Sequence, residues 1–289
     1  MKGLELKQPT AHIEKVGRSS SSPRVKPFLK WAGGKSQLLP ILRSNIPETF
    51  GSYFEPFLGG GALFFDQGCE RAYLSDLNPE LINCYEAVRN APRKLLCELS
   101  KYSVSEEEFY RVRSLDPETL TAIERAARLI FLNKTCFNGL YRVNRQGKFN
   151  TPFGAHKSVR FVNEEELLAA STALQGAVLF CASYDEIVLE RAQKGDFIYF
   201  DPPYLPVSVN SDFKRYTRNQ FYEEDHVRLA EVFRVLDKRG CAVLLSNSFH
   251  PKVKELYRDY RLRTVSATRF INCKGGSRGE INELLITNY

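Results

Sequence analysis

A four-residue apolar run, Phe197-Ile198-Tyr199-Phe200, stops abruptly at Asp201-Pro202-Pro203-Tyr204. Two successive prolines fix φ and remove two backbone N–H donors, so neither a strand nor a helix continues through them. The run reads as an apolar strand, with the prolines at its carboxyl end. The same punctuation recurs along the chain. Tyr53–Phe57 runs into Gly59-Gly60-Gly61, and Ala72–Ser75 closes at Asp76. Further strand-like runs cover Ala177–Cys181 and Cys241–Ser246. Helices are predicted over 62–66, from Pro79 with Asn78 as its cap, and over 223–238. Residues 260–268 and 281–288 predict an antiparallel pair about a turn at 274–279. Strands alternating with helices imply an α/β fold with a largely parallel sheet.

Between about 80 and 170 the strand signal fades. Apolar residues at helical spacing, such as Ile123, Ala127, Ile130 and Phe131, predict a mainly helical insert. Within it, Asn138–Gly154 reads as a turn or hairpin. The expected organisation is a disordered, Ser-rich tail over 1–25, an α/β domain over 26–80 and 171–289, and an insert over 81–170. A length of 289 residues suits one large domain with such an insert. With 43% hydrophobic and 26% charged residues, the composition excludes whole-chain disorder, collagen and coiled coil. No run approaches the roughly 18–20 apolar residues of a membrane helix. The first residues lack the apolar stretch of a secretory signal, so a cytoplasmic protein without a membrane partner is expected. Lys plus Arg is 41 against 34 for Asp plus Glu, which points to a polyanionic partner. Seven scattered cysteines read as reduced, mostly buried thiols, and four scattered histidines give no metal-ligand cluster, so no metal is expected.

Two segments carry chemistry. Glycines at a strand-to-helix turn let backbone approach a ligand closely, and the helix start offers free N–H groups. Asp76, at the end of the next strand, suits a carboxylate holding ribose hydroxyls. The turn is not a G-x-G-x-x-G signature. Gly33-Gly34-Lys35-Ser36 is not a P-loop either, because Leu29 stands where that motif needs glycine. In the second segment, Asp201 and a carbonyl of the proline rim can both accept from one exocyclic NH₂ group. Tyr204 offers a flat face for a planar base.

With these motifs in place, the sequence resembles the Dam-type, alpha-ordered (D12 class) DNA adenine N6-methyltransferases over about 26–289. The resemblance rests on Phe28–Lys35, Glu55–Gly61, Ser75–Asn78, Phe137–Arg142, Phe149–Gly154, Asp201–Tyr204, Leu245–Asn247 and Gly275–Ser277. It implies a Rossmann-like S-adenosylmethionine-dependent methyltransferase sheet with a target-recognition insert. The implied acceptor is N6 of a flipped adenine in double-stranded DNA, in a GATC-type site. Donor-binding positions implied by similarity are Trp31, Lys35, Phe57, Gly59, Gly61, Asp76, Ser183, Tyr184 and Asp201. Catalytic positions are Asp201, Pro202 and Tyr204. DNA-reading positions are Lys30, Phe137, Asn138, Leu140, Arg142 and Pro152.

Arg142 is the leading base reader, since arginine pairs bidentately with guanine. One departure stands out. Relatives often carry Arg directly after Pro-Phe-Gly, whereas Ala155-His156-Lys157 follows here, with Lys157 or Arg160 as substitutes. The resemblance also implies a monomer located with the nucleoid, with a cognate restriction endonuclease acting separately where one exists. Alternatives are an RNA- or protein-directed enzyme of the same fold, or a non-catalytic DNA binder. Asp201 in place of Asn argues against the first, and the intact Asp201–Tyr204 and glycine turn against the second.

Overall fold

In a computed structural model, the structure describes residues 16–17, 24–144, 146–155, 161, 163–206, 221–268 and 280–289. Val16–Gly17 (β1) pairs antiparallel with Thr49–Phe50 (β2). The main sheet holds Tyr53–Glu55 (β3), Ala72–Ser75 (β4), Ala177–Phe180 (β5), Phe197–Phe200 (β6), Ala242–Ser248 (β7), Arg261–Thr268 (β8) and Glu280–Thr287 (β9). Its order is β5-β4-β3-β6-β7-β9-β8. The first five are mutually parallel, and β9 runs antiparallel between β7 and β8. The predicted closing pair is therefore present, and its 274–279 turn lies outside the described residues.

Ten helices are described: Leu39–Arg43 (α1), Ala62–Gln67 (α2), Pro79–Asn90 (α3), Pro92–Leu99 (α4), Glu106–Ser114 (α5), Ala122–Thr135 (α6), Glu164–Ala173 (α7), Tyr184–Arg191 (α8), Glu223–Arg239 (α9) and Pro251–Leu256 (α10). Local signals set their ends. The Asn78 side chain accepts from the Glu80 and Leu81 amides, with Pro79 opening α3. Thr121 and Glu124 form a reciprocal capping box on α6. Helix α9 begins with Glu223, Glu224 and Asp225, ends with Lys238 and Arg239, and stops at left-handed Gly240.

Successive side chains of a strand point to opposite faces, and this divides the core in two. Tyr53, Phe197, Tyr199 and Leu244 join one buried cluster with α2–α7. Phe54, Ile198, Phe200, Val243 and Leu245 join the other, with α8–α10. The continuous apolar runs are thus strands covered on both sides. The helical stretch between β4 and β5 shares its core with one face of the sheet. The expected insert boundaries at 80 and 171 fall inside α3 and α7.

The expected disordered tail needs correction where it is described. Val16 and Gly17 form strand pairs, and the Val25 amide donates to the Phe65 carbonyl at 3.3 Å. The rest of 1–23 lies outside the described residues. Of the six cysteines described, Cys84, Cys136 and Cys241 are buried, whereas Cys97 and Cys181 are exposed, fewer buried than expected. Among the described residues, no helix is long and apolar enough to cross a membrane.

Candidate active site and DNA interface

Strand order reverses at β3: β4 and β5 extend one way, β6 and β7 the other. In open α/β sheets, ligands bind beyond the carboxyl ends of strands at such a switch point. The glycine turn after β3 and the Asp-Pro-Pro-Tyr rim after β6 are therefore neighbours. The Phe57 ring lies 6.2 Å from that of Phe200, the residue before Asp201.

On the β6 side, Lys35 Nζ lies 2.8 Å from Asp201 Oδ1 and 4.6 Å from the Tyr204 ring centroid. It also donates to the Gly33 carbonyl at 2.7 Å. An exposed lysine is ordinarily a solvated charge. Here the residue is only 7% exposed, and the carboxylate, carbonyl and ring replace its hydration. Neighbouring strands pin the rim. Register pairs Phe200 with Leu245, which sets Asp201 beside Ser246. Ser246 Oγ donates to Asp201 Oδ1 at 2.8 Å and lies 3.1 Å from the Tyr199 hydroxyl. Asn247 Oδ1 accepts from the Leu205 amide at 3.4 Å, and Ser248 Oγ donates to the Leu205 carbonyl at 2.7 Å. The Tyr204 hydroxyl donates to Glu283 Oε2 at 2.6 Å. Burial, then Asp201, then Glu283 push that hydroxyl well above its ordinary pKa, so it stays a donor.

On the β3 side, Asp76 accepts from the Gly59 amide at 3.0 Å and the Asn78 amide at 2.9 Å. Burial raises its pKa, and these amides oppose the rise. Gly59 has φ +47°, and a Cβ there would stand 2.8 Å from Trp31 Cδ1, so glycine is required for the indole to lie on the turn. Phe57, half-buried, stacks on Tyr184 at 5.0 Å. Tyr184 is 6% exposed and lies beneath Phe57, and Ser183 donates to Asp185. Both therefore border the turn through neighbours. One of the amides at the helix start is already engaged. The start of α2 is not all free N–H: the Phe64 amide donates to Glu55 Oε2 at 3.0 Å, as does the Tyr53 hydroxyl at 2.8 Å. Buried Glu55 thus caps a helix whose N-cap, Gly61, has no side chain. Burial pushes its pKa up to about 8.

All six expected DNA-reading residues fall in one region. The 138–154 segment is a hairpin, with antiparallel bridges Cys136–Phe153 and Val143–Phe149. The Phe137 amide donates to the Pro152 carbonyl at 2.9 Å. Phe137, Asn138 and Pro152 are exposed, and Asn138 is left-handed at φ 55°. Thr151 Oγ1 donates to the Leu140 carbonyl at 2.6 Å. Arg142 Nε donates to Asn150 Oδ1 at 2.8 Å. Lys30 is exposed, but its backbone is tied to buried Asn133: its amide donates to Oδ1 at 2.8 Å and its carbonyl accepts from Nδ2 at 2.7 Å. Asn133 Nδ2 also reaches the Gly139 carbonyl at 3.2 Å. Trp31 stacks on Tyr141 at 5.0 Å, so the segment around 30–35 touches hairpin and glycine turn alike. Ala155 is exposed and left-handed at φ 48°. Lys157 and Arg160 lie outside the described residues, as does Gly275–Ser277.

Sequence reasoning gave no role to Ser246, Glu283, Asn133 or Asn150. Asn150 had a signal, because a hairpin centred near residue 146 sets it across from Arg142. Glu283 had none.

A seven-stranded, mostly parallel sheet with an acid, two prolines and a tyrosine at its switch point is consistent with a methyltransferase. The family model for D12 class N6 adenine-specific DNA methyltransferases matches residues 31–271, and the chain belongs to that family. It is an adenine-specific DNA methyltransferase that uses S-adenosylmethionine as methyl donor. The chain is similar to the type II methyltransferase M1.LlaDCHI of Lactococcus lactis subsp. cremoris, 42% identical over 272 residues, covering 92% of this chain and 96% of that protein. The type II methyltransferase M.MjaIII of Methanocaldococcus jannaschii is 41% identical over 288 residues, covering 92% of this chain and 99% of that protein. The DNA adenine methylase of Escherichia coli is 34% identical over 262 residues, covering 89% and 93%.

Proposed function

We propose that this enzyme methylates adenine flipped out of duplex DNA within a GATC-type site. One observation carries the catalytic assignment: a nitrogen donor, Lys35 Nζ, already rests against both the Asp201 carboxylate and the Tyr204 face. Those are the two groups an exocyclic amine on a planar base needs. The described contacts to the Asp201 carboxylate, from Lys35 and Ser246, fall on Oδ1. Oδ2 is therefore the oxygen assigned to one N6–H, and the Pro202 carbonyl takes the other. Accepting both hydrogens draws the N6 lone pair out of conjugation with the ring and stabilises the positive charge that develops on nitrogen. Flipping costs a few kcal/mol, and stacking on Tyr204 offsets part of it.

The donor set fits S-adenosylmethionine: a carboxylate for hydroxyl or ammonium groups, a half-exposed ring for a purine, and a close glycine backbone. Bound there, the cofactor supplies an electrophilic sulfonium methyl. Asp76 takes the polar hydroxyls, Phe57 presents the aromatic surface with Tyr184 and Ser183 behind it, and Trp31 walls the Gly59–Gly61 turn. Lys35 and Asp201 close the side toward the base.

The hairpin and Lys30 form the DNA-reading surface. Arg142 pairs with guanine, Phe137 and Asn138 fill the space left by the extruded base, and Leu140 and Pro152 contact base edges. Residues 81–170 are assigned to reading, and 26–80 with 171–289 to catalysis. The enzyme works as a monomer with the cell's DNA. Type II methyltransferases among its relatives support a cognate restriction endonuclease acting separately.

Labelled methyl transfer to duplexes with and without GATC tests the proposal. Label is expected on adenine of the GATC duplex only. Equal labelling of both duplexes refutes the site, and base-resolved mapping then names the real one. Label on another base, or none, refutes the assignment of the catalytic groups.

A further inference from the structure

We infer that Glu283 is a positioning residue for Tyr204, and through that ring for the extruded base. The inference rests on the proposed stacking role of Tyr204. The Tyr204 hydroxyl donates to Glu283 Oε2 at 2.6 Å, across 79 residues of sequence. Glu283 stands on β9, paired with both neighbouring strands: its partners are Ser248 on β7 and Val265 on β8. The next residues, Leu284 and Leu285, are 1% exposed, so this part of the strand is held by the core.

The opposite end of the tyrosine is held too. Asn247 and Ser248 bind the backbone of Leu205, and the prolines fix the chain before the ring. A tyrosine side chain has only two rotatable bonds between backbone and ring. With the backbone fixed and the hydroxyl tied to the sheet, both are set, and so is the plane of the face that Lys35 now covers. A carboxylate acceptor makes this tie stronger than a neutral one. Burial keeps the hydroxyl protonated, so it remains a donor at neutral pH. Nothing in the arrangement requires Glu283 to touch base or cofactor.

The test uses the full chain, S-adenosylmethionine and duplex DNA carrying 2-aminopurine at the target position, whose emission rises on extrusion and falls on stacking. In Glu283→Ala, kcat on the normal duplex should fall about 10- to 100-fold, the loss expected for one hydrogen bond to a charged group. KM for the donor should stay within about twofold, and 2-aminopurine emission should rise because the ring no longer stacks steadily. Glu283→Gln should recover most of kcat. Tyr204→Phe should reproduce the kcat and emission changes of Glu283→Ala. Adding Glu283→Ala to Tyr204→Phe should then cost less than about twofold more, since the shared interaction is already gone.

Equal losses from Glu283→Ala in both backgrounds would overturn the inference, as would Tyr204→Phe with unchanged kcat and emission. If Glu283→Ala does not fold, Tyr204→Phe alone decides. Tyr204→Ala separates the two levels. Unchanged kcat there refutes the stacking role itself, whereas a large loss beside an unaffected Tyr204→Phe refutes only the role of Glu283.

Discussion

The proposed catalytic rim and the proposed reading hairpin are both held in place, but by different means. At the rim, side chains are held. Lys35, Asp201, Ser246, Tyr204 and Glu283 each contact another side chain donated by a different element. At the hairpin, the backbone is held, while Phe137, Asn138 and Pro152 stand exposed. Arg142 is intermediate, tied through Nε to Asn150. An unvarying reaction calls for side chains fixed in place before the substrate arrives. Reading a base edge calls for side chains free to leave water and meet DNA, on a scaffold that fixes their position. The two regions meet at Asn133 and at the Trp31–Tyr141 stack.

The largest contrast should come from the rim. Asp201→Asn keeps the shape and an acceptor near Lys35, but removes the charge that stabilises the methylated nitrogen. Methyl transfer should fall by about 100-fold or more with the thermal transition retained. Asparagine is the informative choice, because Asp201→Ala would strand a buried ammonium. At the hairpin, Arg142→Ala should lower discrimination against altered sites by about 10- to 100-fold while nonspecific binding changes far less. Competition between cognate and single-substituted duplexes measures this. An equal loss on every duplex would erase the distinction between the two regions.

Glu55 sharpens the comparison through pH. Burial holds its carboxyl protonated up to about 8, above the ordinary 4.5. Between those values the folded chain keeps a proton that the unfolded chain has released. Its contribution is fully present below 4.5 and lost as pH rises through about 8. Stability should decline by up to about 1.4 kcal/mol per pH unit in that window from this group. Glu55→Gln should flatten the slope in denaturant titrations at several pH values, and an unchanged slope would assign the titration elsewhere. The smallest effect is expected from Ser246→Ala, which removes one donor to Asp201 Oδ1. It should lower kcat about 5- to 10-fold without changing sequence preference.

Much of this was legible in the chain because its signals are local. Proline pairs, glycine clusters and an Asn-Pro helix start act within a few residues, so Ala72–Ser75, Phe197–Phe200 and the start of α3 at Pro79 match the predicted elements. The ordered motifs likewise pointed to an adenine methyltransferase. The Arg142–Asn150 contact was readable in principle from hairpin register. The pairing of Val16 and Gly17 with β2 was not legible, because low local hydrophobicity says nothing about pairing with a distant strand.

Composition and local pattern determined which segments are strands, where each one stops, and which chemical groups stand at those stops. Tertiary structure alone decided which stops are neighbours. Strand order brings β3 beside β6 and threads β9 between β7 and β8, so Lys35 is neutralised by Asp201 and Tyr204 is tied to Glu283. The reason is physical. A hydrogen bond or ion pair depends on distance in space, and only the completed sheet sets that distance for residues far apart in the chain.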